Sequence, residues 1–218
     1  MTARSPLETT WEDWLLGGGA ARAFAEPSAP LVVEIGPGED DFLLEMARAE
    51  PGTNWLGIEY SHKRVDRYAR RCAALGVGAK NLRLIWRPAA DLVGPFLSPA
   101  KVSRYHVHFP DPWPKKHHAR YRLVEPEFAR TLAVSLVPGG AVVLATDSAA
   151  YAAEIHAAFG AAPGMRSVHP EPGWVKVPKG ARTTVFEERW RTEGRDIHAL
   201  RYERIDGAGV SAGAPPPT

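Results

Sequence analysis

Two short stretches hold the residues best suited to chemistry. The first is Pro110-Asp111-Pro112-Trp113-Pro114-Lys115-Lys116. Its prolines exclude helix and strand, so one carboxylate, Asp111, is held on a stiff loop beside an aromatic ring. An isolated Asp-Pro is a common turn device. Here the loop runs straight into Lys115, Lys116, His117, His118, Arg120, Tyr121 and Arg122, and basic residues interleaved with aromatics pair with phosphates and stack on unpaired bases. A metal site does not follow. His117 and His118 are sequence neighbours, His106 and His108 share a strand face, and no cysteine or carboxylate cluster completes a tetrahedral set.

The second stretch is Glu34-Ile35-Gly36-Pro37-Gly38-Glu39-Asp40-Asp41, and Glu59 follows 21 residues after Gly38. Glycines that let backbone approach a ligand, then a carboxylate after the next strand to meet ribose hydroxyls, are the parts of a nucleotide-type βαβ unit. The third glycine of the dinucleotide fingerprint is missing. Three acids also stand where a diphosphate would sit, and each unit charge about 4 Å away costs on the order of 4 kcal/mol at an effective dielectric near 20. NAD and FAD are therefore disfavoured. S-adenosylmethionine fits better: it has no phosphate, keeps a ribose for Glu59, and brings a sulfonium and an ammonium toward Glu34. Glu39 and Asp41 have a plainer reading as complements of a helix dipole. Glu34 and Glu59 both end apolar strands, where α/β folds place ligands.

These residues need a frame. Apolar runs at Leu31–Ile35, 55–58, Leu82–Trp86, 102–109 and 141–145 predict strands, and segments such as 40–50 and 61–75 have helical composition. Alternation of this kind predicts an α/β fold, a mostly parallel central sheet with helices on both faces. The turn Pro138-Gly139-Gly140 is expected to close a helix and open the fifth strand. After Gly160 the pattern loosens into a Pro/Gly-rich stretch, a helix near 183–191 and an alternating strand over 197–204. The expected organisation is an N-terminal helical extension over 1–30, one domain over 31–206, and a disordered tail over 207–218.

Composition narrows the field. With 218 residues, 44% hydrophobic and 24% charged, the chain is globular, which excludes collagen, coiled coil and bulk disorder. A single cysteine, Cys72, excludes an internal disulfide framework and fits a reducing compartment. The sequence shows neither a membrane span nor the apolar start of a signal peptide, so a soluble cytoplasmic protein is expected, as monomer or homodimer. Between residues 31 and 59 seven acids face one base, whereas between 101 and 130 seven bases face three acids. A cationic ligand and an anionic partner are thus expected at different places on one protein.

The segment HFPDPWPKKHHARYRLVEPEF resembles the signature of the tRNA (guanine-N7-)-methyltransferases, class I S-adenosylmethionine enzymes that methylate a guanosine in the tRNA variable loop. VEIGPG with GIE downstream, ATD at residues 145–147, and RTTVFEERW…IHALRYER over 182–204 agree with it, so the resemblance runs from about residue 32 to 204. It implies a Rossmann-like class I methyltransferase in which Glu34, Gly36, Gly38, Glu59 and the Pro88 position hold the cofactor and Asp111 is the principal active-site carboxylate. Lys115, Asp147, Thr184 and Glu187 would bind substrate, and Arg120 and Arg122 would engage tRNA phosphates. The chain departs from the family at two cofactor positions, with Asp40 for a third glycine and Pro88 for an aspartate. Two rivals stay open at this point, a tRNA-binding protein of the same fold with weakened catalysis and a methyltransferase for another substrate.

Overall fold

A computed structural model describes residues 23–75, 80–97, 100–176 and 192–205. In chain order these form β1 (Leu31–Ile35), α1 (Phe42–Ala49), β2 (Asn54–Glu59), α2 (His62–Ala74), β3 (Leu82–Trp86), α3 (Ala89–Leu97) and β4 (Val102–His108). A 3₁₀ turn (Lys116–Tyr121), α4 (Pro126–Ser135), β5 (Leu136–Thr146), α5 (Ala149–Gly160), β6 (Met165–Ser167), β7 (Val175–Lys176) and β8 (His198–Arg204) follow. The sheet order is β3-β2-β1-β4-β5-β8-β6, with β7 also on β8. β1 to β5 run parallel, and β8 is antiparallel to β5, β6 and β7.

Burial on both faces explains the near-continuous apolar strands. Val33 and Ile35 of β1, with Leu56 and Ile58 of β2, pack toward α3, α4 and α5. Their alternates Val32 and Trp55 pack with α1 and α2, where Leu43, Leu44, Val65 and Cys72 meet them. The core begins ahead of β1: Phe24 is buried in it, and the Asn54 amide donates to the Glu26 carbonyl at 2.8 Å. Residues 1–22 of the expected extension, the expected helix over 183–191 and the tail lie outside the described residues.

The start of β5 differs from expectation. α4 ends at Ser135 and β5 opens at once with Leu136, which pairs with Val102, while Ala141 pairs with Arg104. Pro138-Gly139-Gly140 therefore lies inside the strand as a bulge, with Gly139 at φ 74°. A Cβ on Gly140 would stand 2.8 Å from the Val137 carbonyl oxygen and 3.1 Å from that of Ser103, so only glycine fits there.

Candidate active site

β1 and β4 are neighbours whose crossovers leave in opposite directions, and ligands of open α/β sheets bind outside the carboxyl ends of strands at such a switch point. A cleft of about 660 Å³ opens there. Glu34, Gly36, Gly38, Glu59, Pro88 and Asp111, which the resemblance assigns to cofactor and catalysis, all line it. Its volume falls within the range of about 300 to 1,000 Å³ usual for ligand pockets.

The glycine turn is fixed by the end of β2. Gly36 and Gly38 have φ of 72° and 60°, which side-chain-bearing residues rarely adopt. The Gly36 amide donates to the Ile58 carbonyl at 2.8 Å, and the Gly38 amide donates to Glu59 Oε2 at 3.2 Å. Glu59 Oε1 accepts from the Ser61 amide at 2.9 Å. Glu59 thus ties the turn to β2, and its remaining lone pairs can accept from ribose hydroxyls.

The acids of the turn divide into two kinds. Glu39 is paired with Arg67, and Asp41 with Arg71, both arginines coming from α2. These pairs engage Glu39 and Asp41 within the protein. Asp41 nevertheless keeps one buried oxygen, Oδ1, without a partner, as do Asp40 and Glu34, which have no such arginine. Asp40 Oδ1 accepts from the Phe42 amide at 3.0 Å and starts α1, but its Oδ2 is buried without a partner. Glu34 Oε1 meets His108 Nδ1 at 3.0 Å, and Glu34 Oε2 is likewise buried and unpartnered. Burial raises the Glu34 carboxyl above its usual range, the hydrogen bond and charge of His108 oppose the rise, and Asp40 adds to it. Buried acceptors without donors are costly. An ammonium at this edge supplies both donors and compensating charge, so these carboxylates fit the amino-acid end of S-adenosylmethionine. Pro88 adds an apolar wall just past the carboxyl end of β3.

Sequence reasoning did not single out His108, whose partner is 74 residues away. Behind it, His106 is buried between Phe42 and Trp55, with neither ring nitrogen hydrogen-bonded. Burial holds His106 well below the usual histidine range, so it packs as a neutral ring.

Asp111 is exposed at the cleft, on a loop whose flanking residues Phe109 and Trp113 have φ of 48° and 40°. Left-handed backbone at bulky residues costs of order 1–3 kcal/mol and persists where surroundings over-determine it. Lys115 and Arg120 are exposed beyond the loop. The Arg120 guanidinium lies 4.9 Å from the centroid of the Tyr121 ring. Arg122 differs from them: its side chain is only 16% exposed, and its donors are used within the protein. Asp147, past β5, is held by Arg195 at 2.5 Å and does not line the cleft. Thr184 and Glu187 lie outside the described residues. Among the described residues no group of three or more His, Cys, Asp or Glu is placed to hold a metal, and no helix is long and apolar enough to cross a membrane.

Residues 28–200 match a protein family described as "Putative methyltransferase". The chain is 36% identical over 178 residues to the tRNA (guanine-N(7)-)-methyltransferase of Shewanella woodyi, covering 82% of this chain and 74% of that protein. The enzyme of the same name from Halorhodospira halophila is 37% identical over 183 residues, covering 84% and 78%. Among solved structures, the antibiotic-resistance methyltransferase Kmr superposes with a TM-score of 0.62 at 19% identity, covering 91% of this chain and 95% of that one. A single-site mutant of the 16S rRNA (adenine(1408)-N(1))-methyltransferase from Catenulisporales acidiphilia, solved with its cosubstrate SAM, gives 0.57 at 17% identity, covering 94% and 93%. The structural likenesses carry the class I methyltransferase fold, and the sequence identities carry more: the chain belongs to the tRNA (guanine-N7-)-methyltransferase family.

Proposed function

We propose that this protein transfers the methyl group of S-adenosylmethionine to N7 of a guanosine in tRNA, at the variable-loop position the resemblance implies. One observation carries the reading: a strained loop brings the Asp111 carboxylate to the same cleft that Glu34, the glycine turn and Glu59 line from its other side. S-adenosylmethionine supplies an electrophilic methyl, and its S–C bond breaks as the N7–C bond forms, the electron pair staying on sulfur.

Guanine N7 has a lone pair and no proton, so the protein need not supply a general base. Its task is alignment of reacting atoms, about 3 to 3.5 Å apart before transfer. Positive charge grows on the guanine during transfer, and the Asp111 carboxylate is the group proposed to stabilise it. The same carboxylate can accept from the guanine N1–H and exocyclic amine, which adenine cannot match. Trp113 and Tyr121 line the cleft with ring centroids 5.6 Å apart, and Tyr121 is 53% exposed, so flat apolar surface is available to an unstacked base.

Incubation with methyl-labelled S-adenosylmethionine and unmodified tRNA, followed by nucleoside analysis, tests the reading. Label in 7-methylguanosine is the expected result, and label elsewhere or none overturns it. Lys115 is proposed as a phosphate contact. Lys115→Ala is expected to weaken tRNA binding and to reduce the slope of log affinity against log salt by about 0.7 to 0.9, the value of one phosphate, with cofactor binding unchanged by calorimetry. An unchanged slope would remove Lys115 from the interface.

A further inference from the structure

Arg122 ends the basic run and by sequence reads as one more phosphate ligand. Its surroundings say otherwise. Nε donates to the Pro112 carbonyl at 2.7 Å, Nη2 donates to the Trp113 carbonyl at 3.0 Å, and Nη1 is paired with Glu154 of α5. The guanidinium also lies 5.5 Å from the centroid of the buried Tyr151 ring, whose hydroxyl accepts from the Val124 amide at 3.1 Å. All three nitrogens and one face of the group are therefore committed to the protein.

What they hold is the segment on which Asp111 sits. Pro110 and Pro112 have no amide hydrogen, so this loop cannot tether itself through those positions. Its upstream end is secured where the Phe109 amide donates to the Ala145 carbonyl at 2.8 Å. Downstream, the Pro112 and Trp113 carbonyls both point to Arg122, at the residue with φ of 40°. A guanidinium is a rigid planar fork that can hold two carbonyls and a carboxylate at once, which an ammonium on a flexible stem does not reproduce. We propose that Arg122 is a positioning residue: anchored by Glu154 and Tyr151, it fixes the loop that presents Asp111 and does not bind tRNA phosphate. The inference rests on the methyl-transfer reading for its kinetic consequence, though not for the tether itself.

Arg122→Lys separates the two roles because it keeps the charge and loses the fork. A positioning role predicts a single-turnover methyl-transfer rate at saturating tRNA and cofactor lowered by about tenfold to 10²-fold, the scale of an ångström-level misplacement. It also predicts a tRNA salt slope equal to that of the unsubstituted protein. Glu154→Gln, on the exposed side of the clamp, should lower the same rate in the same direction, and the double variant should fall by less than the product of the two single effects. A phosphate ligand predicts the reverse: near-normal rate at saturation in Arg122→Lys, a slope in Arg122→Ala reduced by one phosphate, and no effect of Glu154→Gln. That result overturns the proposal. Amide hydrogen exchange over residues 111–121, measured without tRNA, keeps the tether testable apart from the reaction. Faster exchange in Arg122→Lys supports it even if the unsubstituted protein modified no tRNA, and unchanged exchange refutes it.

Discussion

Asp111→Asn is expected to lower the single-turnover rate of methyl transfer by about 10²-fold or more, the loss seen when a preorganised electrostatic group is removed from a reacting centre. The substitution is nearly isosteric, and the loop conformation is set by prolines, by the Phe109 amide and by Arg122, none of which depends on the Asp111 charge. Fold and cofactor affinity should therefore survive while the growing positive charge on guanine loses its counterion. Rapid-quench measurements with tRNA and cofactor saturating isolate that step from binding. A rate within a few-fold of the unsubstituted protein would reduce Asp111 to a turn residue.

Glu34→Gln should separate ligand binding from stability. Glu34 is 2% exposed, and its Oε2 has no partner. A charged hydrogen bond is worth about 1.5–3 kcal/mol, so its loss should weaken S-adenosylmethionine about 10- to 100-fold, at 1.4 kcal/mol per tenfold. The protein itself should not become less stable. Burial raises the Glu34 carboxyl, so the folded state holds the proton more tightly than the unfolded chain. Stability from this group is then present at low pH and is lost as pH rises from the ordinary glutamate range through the raised value. Glutamine escapes that loss, and the melting temperature of the variant should gain on the parent across the same window.

Cofactor binding should also draw Glu34 toward its charged form, against burial and Asp40 and with the help of His108. Calorimetry in buffers of different ionisation heat should report a proton released by the parent and a smaller release by Glu34→Gln. Equal affinity and equal proton release in the two proteins would remove Glu34 from the cofactor edge.

Local chemistry made much of this molecule legible. β1 and β3 have the bounds expected from their apolar runs, and β2 and β4 differ only at their ends, because a parallel strand buried on both faces is a short continuous signal. The strand-end carboxylates and Asp111, singled out by their places beside apolar runs and prolines, line one cleft. What stayed hidden depends on partners far along the chain. The bulge at Pro138-Gly139-Gly140 is decided by pairing with β4, so local turn chemistry placed the start of β5 too late. The partners of Glu39 and Asp41 are hidden in the same way, because Arg67 and Arg71 of α2 come 28 and 30 residues later. Arg122 is indistinguishable from Arg120 in a basic run, and only Glu154, 32 residues later, reveals a different occupation.

The position of β8 bears on how the chain is made. It is supplied after every other described strand, yet it sits inside the sheet, with β5 on one side and β6 on the other. On the ribosome, β1 to β5 can assemble as soon as Thr146 has emerged, leaving the outer edge of β5 with unpaired amides and carbonyls. At about 5–20 residues per second, roughly 3 to 12 s pass before Arg204 follows and fills it. Throughout that interval the nascent sheet presents an adhesive edge to any extended segment nearby. The strand that completes the fold thus competes, during each round of translation, with neighbouring nascent chains on the same message.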